Sequence, residues 1–177
     1  MKKISIVALI VFAVMLAGCG STPQGVPTGL PPWINDIPPE DVLWGVGAAR
    51  MANPVRSLET AEARARTAIA RDLDSRVQAM FTDYFLEAGG ANTEMVESVS
   101  RQVTDMRLTG TRRVDTWEAP DGTLWVKVEY SRSAARAGVA SIINNQEAQY
   151  AHFRATQALA LLDHQLAQNN APVRVEN

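Results

Sequence analysis

Residues 111–130 read TRRVDTWEAPDGTLWVKVEY, and this stretch predicts a β-hairpin. Two runs rich in β-type residues, Met106 to Glu118 and Thr123 to Tyr130, flank Pro120-Asp121-Gly122. A three-residue loop with its glycine in the left-handed conformation fits this sequence and sets the register of the two strands. The pairs expected on one face are Trp117 with Trp125, Asp115 with Lys127, and Arg113 with Glu129.

The other face of this hairpin is apolar and suits a hydrophobic core. It carries Val114, Leu124, Val126 and Val128. A slip of one residue would exchange the two faces, so the pattern specifies the register strongly. The paired tryptophans have two interpretations, a sugar-stacking platform and an ordinary cross-strand pair, and the second is the commoner outcome.

Upstream of the hairpin, residues 42–47 (VLWGVG) predict a short buried strand. Gly45 and Gly47 point to the same face, where the lack of side chains lets a helix approach closely. A phosphate-binding loop is the alternative, but the segment has neither the third glycine of the dinucleotide motif nor the Lys-Ser/Thr of a P-loop.

Two helices are expected between this strand and the hairpin. Asn53-Pro54 is typical of an N-cap followed by proline in the first turn, and apolar residues recur at helical spacing to about Glu87. Glu62–Arg66 and Asp72–Arg76 are spaced for ion pairs on the outer surface of that helix. A shorter helix follows, capped by Asn92 or Thr93.

The C-terminal region predicts a helix from Ser133 to about Gln168. At 1.5 Å per residue it would be roughly 50 Å long, more than the diameter of about 30 Å expected for a small domain. The helix therefore either breaks near Asn144-Asn145 or extends onto a neighbouring subunit. In the second case a subunit interface is expected at Tyr150, Phe153, Leu159, Leu162 and Leu166.

These elements predict an α+β fold in the order β-α-α-β-β-α. The simplest arrangement is a small three-stranded sheet packed by a long helix, a short helix and a long C-terminal helix.

The amino terminus combines a short basic region, an apolar run and a four-residue motif that ends at Cys19. Lys2 and Lys3 precede an apolar run, Ile4 to Leu16, that is too short to span a bilayer, for which roughly 20 residues are needed. The run is typical of a secretory signal. Leu16-Ala17-Gly18-Cys19 then resembles a lipobox, which implies cleavage between Gly18 and Cys19 and lipidation of the Cys19 thiol. Gly20 stands where an aspartate would favour retention in the inner membrane, so the resemblance implies the outer membrane.

The chain is expected to divide into a signal peptide (1–18), a lipidated tether (19–32), a single α+β domain (33–170) and a tail (171–177). The tether is rich in glycine and proline and has no apolar periodicity.

Composition argues against several classes of function. Without Lys2 and Lys3, the 17 basic and 19 acidic residues leave a net charge of −4, whereas nucleic-acid binders normally have a basic surface. One cysteine and two distant histidines, His152 and His164, do not form a tetrahedral metal site. The cofactor prediction is therefore none, apart from the covalent lipid.

The order of features resembles the lipoprotein-20 family of small outer-membrane lipoproteins. The segments that carry the resemblance are 32–33 (PW), 43–49 (LWGVGAA), the Ala/Arg-rich helix of residues 59–73, 114–117 (VDTW) and 121–128 (DGTLWVKV). The resemblance implies a non-enzymatic envelope protein, and one branch of the family assembles into rings or disks around the flagellar motor.

Two functions follow as expectations. The first is a non-enzymatic structural or assembly lipoprotein that self-associates, in its narrowest form as a ring component of the flagellar motor. The second is an envelope binding module for peptidoglycan or a partner lipoprotein, based on the arginine-bearing helix and the two hairpin tryptophans. No catalytic residues are predicted, because the chain shows no nucleophile–base pair or nucleophile-elbow motif.

Overall fold

A computed structural model describes residues 29–90, 92–147, 150, 153–168 and 173–174. A short 3-10 helix opens the described chain, and four strands and four α-helices follow. In chain order the elements are the 3-10 helix Pro32–Asn35, β1 Val42–Ala49, α1 Pro54–Ala88, α2 Thr93–Thr104, β2 Arg112–Glu118, β3 Leu124–Ser131, α3 Arg132–Glu147, α4 Ala155–Gln168 and β4 Val173–Arg174.

The strands form one sheet in the order β2-β3-β1-β4. β3 pairs antiparallel with both β1 and β2, which confirms the three-stranded sheet and the α+β fold predicted from the sequence. The fourth strand is an addition. Val173 and Arg174, in the predicted tail, pair in parallel with Gly45 and Val46 of β1.

The hairpin register agrees with the prediction near the loop and departs from it further away. Trp117 lies opposite Trp125 and Asp115 opposite Lys127, as expected. Gly122 has φ of +84°, the left-handed conformation that the three-residue loop requires. Beyond Asp115 an irregularity of the β-bulge type shifts the ladder by one residue.

This bulge corrects one predicted pair. Arg112, not Arg113, lies opposite Glu129, and the two side chains form an ion pair of 2.6 Å between Nη2 and Oε1. Arg113 lies opposite Val128 instead and reaches Glu62 of α1, with 3.5 Å between Nη1 and Oε2. An extra residue in an edge strand changes which later side chains point to which face, and alternation alone does not reveal it.

Helix α1 packs directly against β1 because of the two glycines predicted to allow this. A Cβ atom on Gly45 would overlap the carbonyl oxygen of Ala65 and lie 2.7 Å from Cγ1 of Ile69. A Cβ atom on Gly47 would overlap the carbonyl oxygen of Ala61. This observation confirms helix packing as the role of the glycine pair.

Asparagine side chains cap the first turns of α1 and α2. Oδ1 of Asn53 accepts a hydrogen bond of 2.8 Å from the backbone N–H of Val55, and Pro54 occupies the first turn. Oδ1 of Asn92 accepts one of 3.0 Å from Met95 at the start of α2. These contacts satisfy N–H groups that have no partner inside their helices.

The main core lies between the inner face of the sheet and the four helices. Its fully buried side chains include Ile69, Leu73, Met80 and Phe81 of α1, Val99 and Val103 of α2, Val126 and Val128 of β3, Val139 and Ile143 of α3, and Leu162 of α4. Full burial of each large apolar side chain stabilises the fold by about 1.5–3 kcal/mol.

The predicted C-terminal helix is two helices, and the second returns to the same chain. α3 ends at Glu147 and α4 begins at Ala155, slightly beyond the break expected near Asn144-Asn145. Helix α4 packs on both α1 and α3. Backbone N–H of Arg154 donates a hydrogen bond of 3.0 Å to the hydroxyl of Tyr84, which fixes the start of α4 against α1.

This return corrects the predicted subunit interface. Phe153, Leu162 and Leu166 are at most 3% exposed within this chain, and Tyr150 and Leu159 are partly buried against the same core. An apolar stripe marks a helix face that needs a partner, and here the partner is α1 of the same molecule. None of the described helices has the length and apolar character that crossing a membrane requires.

Candidate functional site

The outer face of the sheet, opposite the helices, gathers all four tryptophans of the chain. Trp44, Trp117 and Trp125 come from β1, β2 and β3, and Trp33 comes from the 3-10 helix. We call this surface the tryptophan face and define it as these four residues with Ala48, Val46, Lys127, Asp115, Glu129 and Arg112.

The strand pairings arrange this face in three rows. Ala48, Trp125 and Trp117 form the first row, Val46, Lys127 and Asp115 the second, and Trp44, Glu129 and Arg112 the third. Apolar side chains therefore dominate one end of the face, and charged side chains lie toward the middle and the other end.

The segment before β1 covers part of the tryptophan face. Trp33 and Ile34 are buried in a second, smaller core with Val46, Ala48 and Trp125. The segment turns because backbone N–H of Ile34 donates a hydrogen bond of 3.1 Å to the carbonyl of Pro31, and Pro32 presets the backbone for the first helical turn. Both faces of the sheet are therefore packed, although the sequence predicted helices on one face only.

Lys127 lies at the centre of the tryptophan face and is only 7% exposed. Its ammonium nitrogen is 4.8 Å from the ring centroid of Trp33 and 4.2 Å from that of Trp44. It also lies 3.7 Å from a carboxylate oxygen of Asp36. Contacts with two indole faces and one carboxylate compensate the cost of removing this cation from water.

The remaining part of the face is open to solvent. Trp44 and Trp117 are half-buried. Ile37 is not a member of the face but follows Asp36, which contacts Lys127, and it is 74% exposed. The exposed Arg112 pairs with Glu129, so both basic residues of the face already have an acidic partner. The solvent-accessible part of the face therefore consists of aromatic edges and of charged side chains that pair with each other, without a surplus of positive charge.

The turn of the hairpin holds a carboxylate whose titration is perturbed. Thr123 donates two hydrogen bonds of 2.9 Å to Asp121, one from its backbone N–H and one from its hydroxyl. These bonds lower the pKa of Asp121 below its ordinary value, with a smaller contribution from Arg50. The exposed carboxylate stabilises the turn rather than facing a cleft.

The arginine-bearing surface of α1 forms the predicted ion pairs, but the two pairs differ. Arg66 and Glu62 lie on the exposed side, with 2.5 Å between Nη2 and Oε1. Arg76 is only 7% exposed, pairs with Asp72 at 2.8 Å, and donates a hydrogen bond of 2.6 Å to the carbonyl of Gln165 in α4. Arg76 is therefore an interior link between helices, although the sequence placed it on the outer surface.

The residues predicted for lipidation and cleavage, Cys19 and Gly18, lie outside the described residues, as does His152. His164 is exposed on α4. Among the residues that the structure describes, no three His, Cys, Asp or Glu side chains lie close enough together to hold a metal ion.

Comparison with known families adds one finding to this geometry. Residues 31–131 match the family model described as LPP20 lipoprotein. The chain belongs to the LPP20 lipoprotein family. It is therefore an envelope lipoprotein, and the resemblance inferred from the segments between residues 32 and 128 is confirmed. No curated protein matches the chain.

The family match coincides with the elements that build the tryptophan face. It begins just before the 3-10 helix, ends with the last residue of β3, and contains all four tryptophans. Helices α3 and α4 and strand β4 follow the matched range. The family unit in this chain is thus the antiparallel sheet with α1 and α2, and the C-terminal helices complete its core.

The sequence indicated half of the tryptophan face. Alternation placed Trp117, Trp125, Asp115 and Lys127 together, but it did not connect them with Trp33 or show that Lys127 is buried. One signal was present: Trp44 lies two residues before Val46 in β1 and so shares its face. The contribution of Trp33 depends on a tertiary contact across more than 90 residues of chain.

Proposed function

We propose that this protein is a non-enzymatic lipoprotein of the outer membrane with a structural role in the cell envelope, held there by lipid on Cys19. The proposal rests on the order of three segments along the chain. A lipobox comes first, a glycine- and proline-rich tether follows, and then comes a packed domain of a lipoprotein family. Two or more acyl chains on a short tether provide the anchor, since each buried methylene contributes about 0.8 kcal/mol and a single chain binds only reversibly.

Three charged groups of the described residues serve the fold and so support a structural role. Lys127 is held between two indoles and Asp36, Arg76 joins α1 to α4, and the bonds from Thr123 to Asp121 hold the hairpin turn. Each of these charged groups is satisfied within the domain, as expected for a stable module displayed on an anchor.

The anchor is tested by mass spectrometry of the protein purified from its own membranes. The proposal expects a chain that starts at Cys19 and carries a diacylglycerol, and a Cys19→Ser variant found in the soluble periplasmic fraction. Density separation of inner and outer membranes checks the outer-membrane assignment. A chain that retains residues 1–18 with a free thiol would refute the proposal.

Self-association stays part of the proposal as a prediction. The structure supports it less than the sequence did. The sequence suggested it through one overlong C-terminal helix. In the structure this segment forms two helices, and the second packs on its own domain. Light scattering of the lipidated protein in detergent, combined with cross-linking in cells, tests it. A monomer at high concentration without cross-linked species would remove self-association from the proposal.

The flagellar version is narrower and has its own test. A role in motor-associated rings predicts that a deletion strain swims poorly and lacks the disks around its motors. Normal swimming with intact disks would rule out this version and leave the envelope role in place.

The alternative, a binding module for peptidoglycan or a partner lipoprotein, is less well supported by the geometry. The arginines cited for it, Arg66 and Arg76, already form ion pairs within α1, and Trp125 of the hairpin pair is buried. Pull-down with purified sacculi at low salt discriminates, since the alternative requires the protein to be retained.

A further inference from the structure

The chain enters the folded domain on the tryptophan face. Leu30 packs against the second core beside Trp33 and Ile34, and the described chain begins one residue earlier at Gly29. The lipid anchor proposed above would therefore be attached through residues 19–28 to this side of the sheet.

The length of that connection limits which surface reaches the membrane. Ten residues span at most about 33–36 Å when fully extended. A domain of this size has a diameter of about 30–40 Å, so a path over its surface to the opposite side is about 45–60 Å long. The tether is therefore shorter than a path to the far side of the domain, whereas the tryptophan face lies at the point where the tether joins the domain.

The chemistry of the tryptophan face suits the boundary between lipid and water. Indole rings concentrate at this boundary because they combine an apolar body with a polar N–H group. Trp44 and Trp117 present half-buried rings, and Ile37 adds a side chain that is 74% exposed. Nε1 of Trp44 is itself buried, so Trp44 offers only the apolar edge of its ring.

The charges of the face indicate the kind of lipid surface. Lys127 pairs with Asp36 and Arg112 pairs with Glu129, so the face presents no basic patch for anionic headgroups. A zwitterionic surface requires no such patch, and contact with it depends on apolar burial rather than on charge.

We propose that the tryptophan face lies against the membrane that holds the anchor, with Ile37 and the edges of Trp44 and Trp117 at the level of the lipid headgroups. This inference rests on the proposed lipidation of Cys19. It adds an orientation to the anchored domain, with the outer face of the sheet toward the lipid and α1 on the side away from it.

The test uses the full lipidated chain in vesicles of phosphatidylcholine. Acylation consumes the thiol of Cys19, so a cysteine introduced elsewhere is the free thiol available for labelling. Ile37→Cys places a fluorophore such as nitrobenzoxadiazole at the rim of the face. Ala63→Cys is the matched control, because Ala63 is exposed on α1 on the side away from the sheet-facing Ala61 and Ala65.

The expected result is a difference between the two sites. The label at position 37 shifts to the blue and loses most of its emission when the vesicles contain phosphatidylcholine with a nitroxide near the headgroup. The label at position 63 keeps its emission. The unlabelled chain provides a second readout, since its four tryptophans all lie on this face and should be quenched by brominated lipids.

Several results would overturn the inference. They are equal quenching at positions 37 and 63, no quenching at either, and quenching that appears only with phosphatidylglycerol. A response of the label at position 37 to soluble chitin oligosaccharides without a response to lipid would assign the face to glycan instead. Mass spectrometry of the same preparation separates the two levels: unmodified Cys19 refutes the anchor and this inference together, whereas acylated Cys19 without quenching refutes the orientation alone.

Discussion

Replacement of Gly45 by alanine tests the closest contact in the fold. The added Cβ atom would overlap the backbone carbonyl oxygen of Ala65 and lie 2.7 Å from Cγ1 of Ile69, where carbon atoms normally sit about 3.5–4.0 Å apart. The carbonyl of Ala65 is backbone and the side chain of Ile69 is fully buried, so neither can move aside without moving the helix. The substitution therefore forces α1 away from β1.

The magnitude follows from the two opposing effects. Overpacking a core costs about 1–3 kcal/mol, and a clash with backbone belongs at the upper end. Alanine also restricts the unfolded chain, which returns about 0.4–1 kcal/mol. We therefore expect Gly45→Ala to lower the free energy of unfolding by about 2 kcal/mol, and a domain of this size then loses about 4–8 °C in Tm.

The assay is urea and thermal unfolding of a soluble form that lacks residues 1–18 and carries Cys19→Ser, followed by circular dichroism and tryptophan fluorescence. Gly138→Ala in α3 is the matched control. Its Cβ atom would meet only the flexible side chain of Met106, with Sδ at 2.5 Å, and alanine is about 1 kcal/mol better than glycine inside a helix. The control should stay within about 1 kcal/mol of the parent. Equal stability of Gly45→Ala and the parent would refute the close packing of α1 on β1.

Three further predictions concern polar groups of the domain. Arg76→Ala should lower the free energy of unfolding by about 3 kcal/mol in denaturant, because Asp72 and the carbonyl of Gln165 lose their buried partner. Arg66→Ala, in the exposed pair of the same spacing, should lower it by less than about 1 kcal/mol. Equal losses would contradict an interior role for Arg76. Lys127→Met should lower stability by about 1–2 kcal/mol and alter tryptophan emission, since contacts with two indole rings are lost; an unchanged spectrum and unfolding midpoint would show that the ammonium group does not stabilise the face. Thr123→Val should raise the pKa of Asp121 toward its ordinary value in an NMR titration, by removing the hydroxyl donor while the backbone donor remains. Because folding lowers this pKa, the stabilisation is present at neutral pH and is lost as the pH falls through the folded value. An Asp121 titration curve that does not move would exclude the Thr123 hydroxyl as a cause and leave the backbone N–H of residue 123 as the main one.

Features governed by neighbouring residues were predictable. The loop Pro120-Asp121-Gly122 requires a left-handed glycine, and this requirement together with alternation gave the correct pairs of Trp117 with Trp125 and Asp115 with Lys127. Asn53 and Asn92 cap the helices that follow them because a side-chain acceptor three residues or fewer away is enough.

The candidate site was predictable only in part. Strand alternation places side chains on a face, but it does not tell whether a distant segment covers that face. The bulge that moves Glu129 from Arg113 to Arg112 was missed for a related reason, since an extra residue in β2 leaves no mark in a pattern of alternating polarity.

By itself the sequence determined the strand–helix order as far as the hairpin, the hairpin register near its loop and the close approach that Gly45 and Gly47 permit. These depend on backbone conformation and on spacing over a few residues. The lipobox and the tether stay predictions. Only the tertiary structure decided that Trp33 closes over Lys127, that α4 returns to α1 instead of reaching another subunit, and that Val173 and Arg174 extend the sheet. An apolar stripe or an aromatic pair predicts that the side chains are buried against another segment. Which segment buries them depends on the packing of the whole chain.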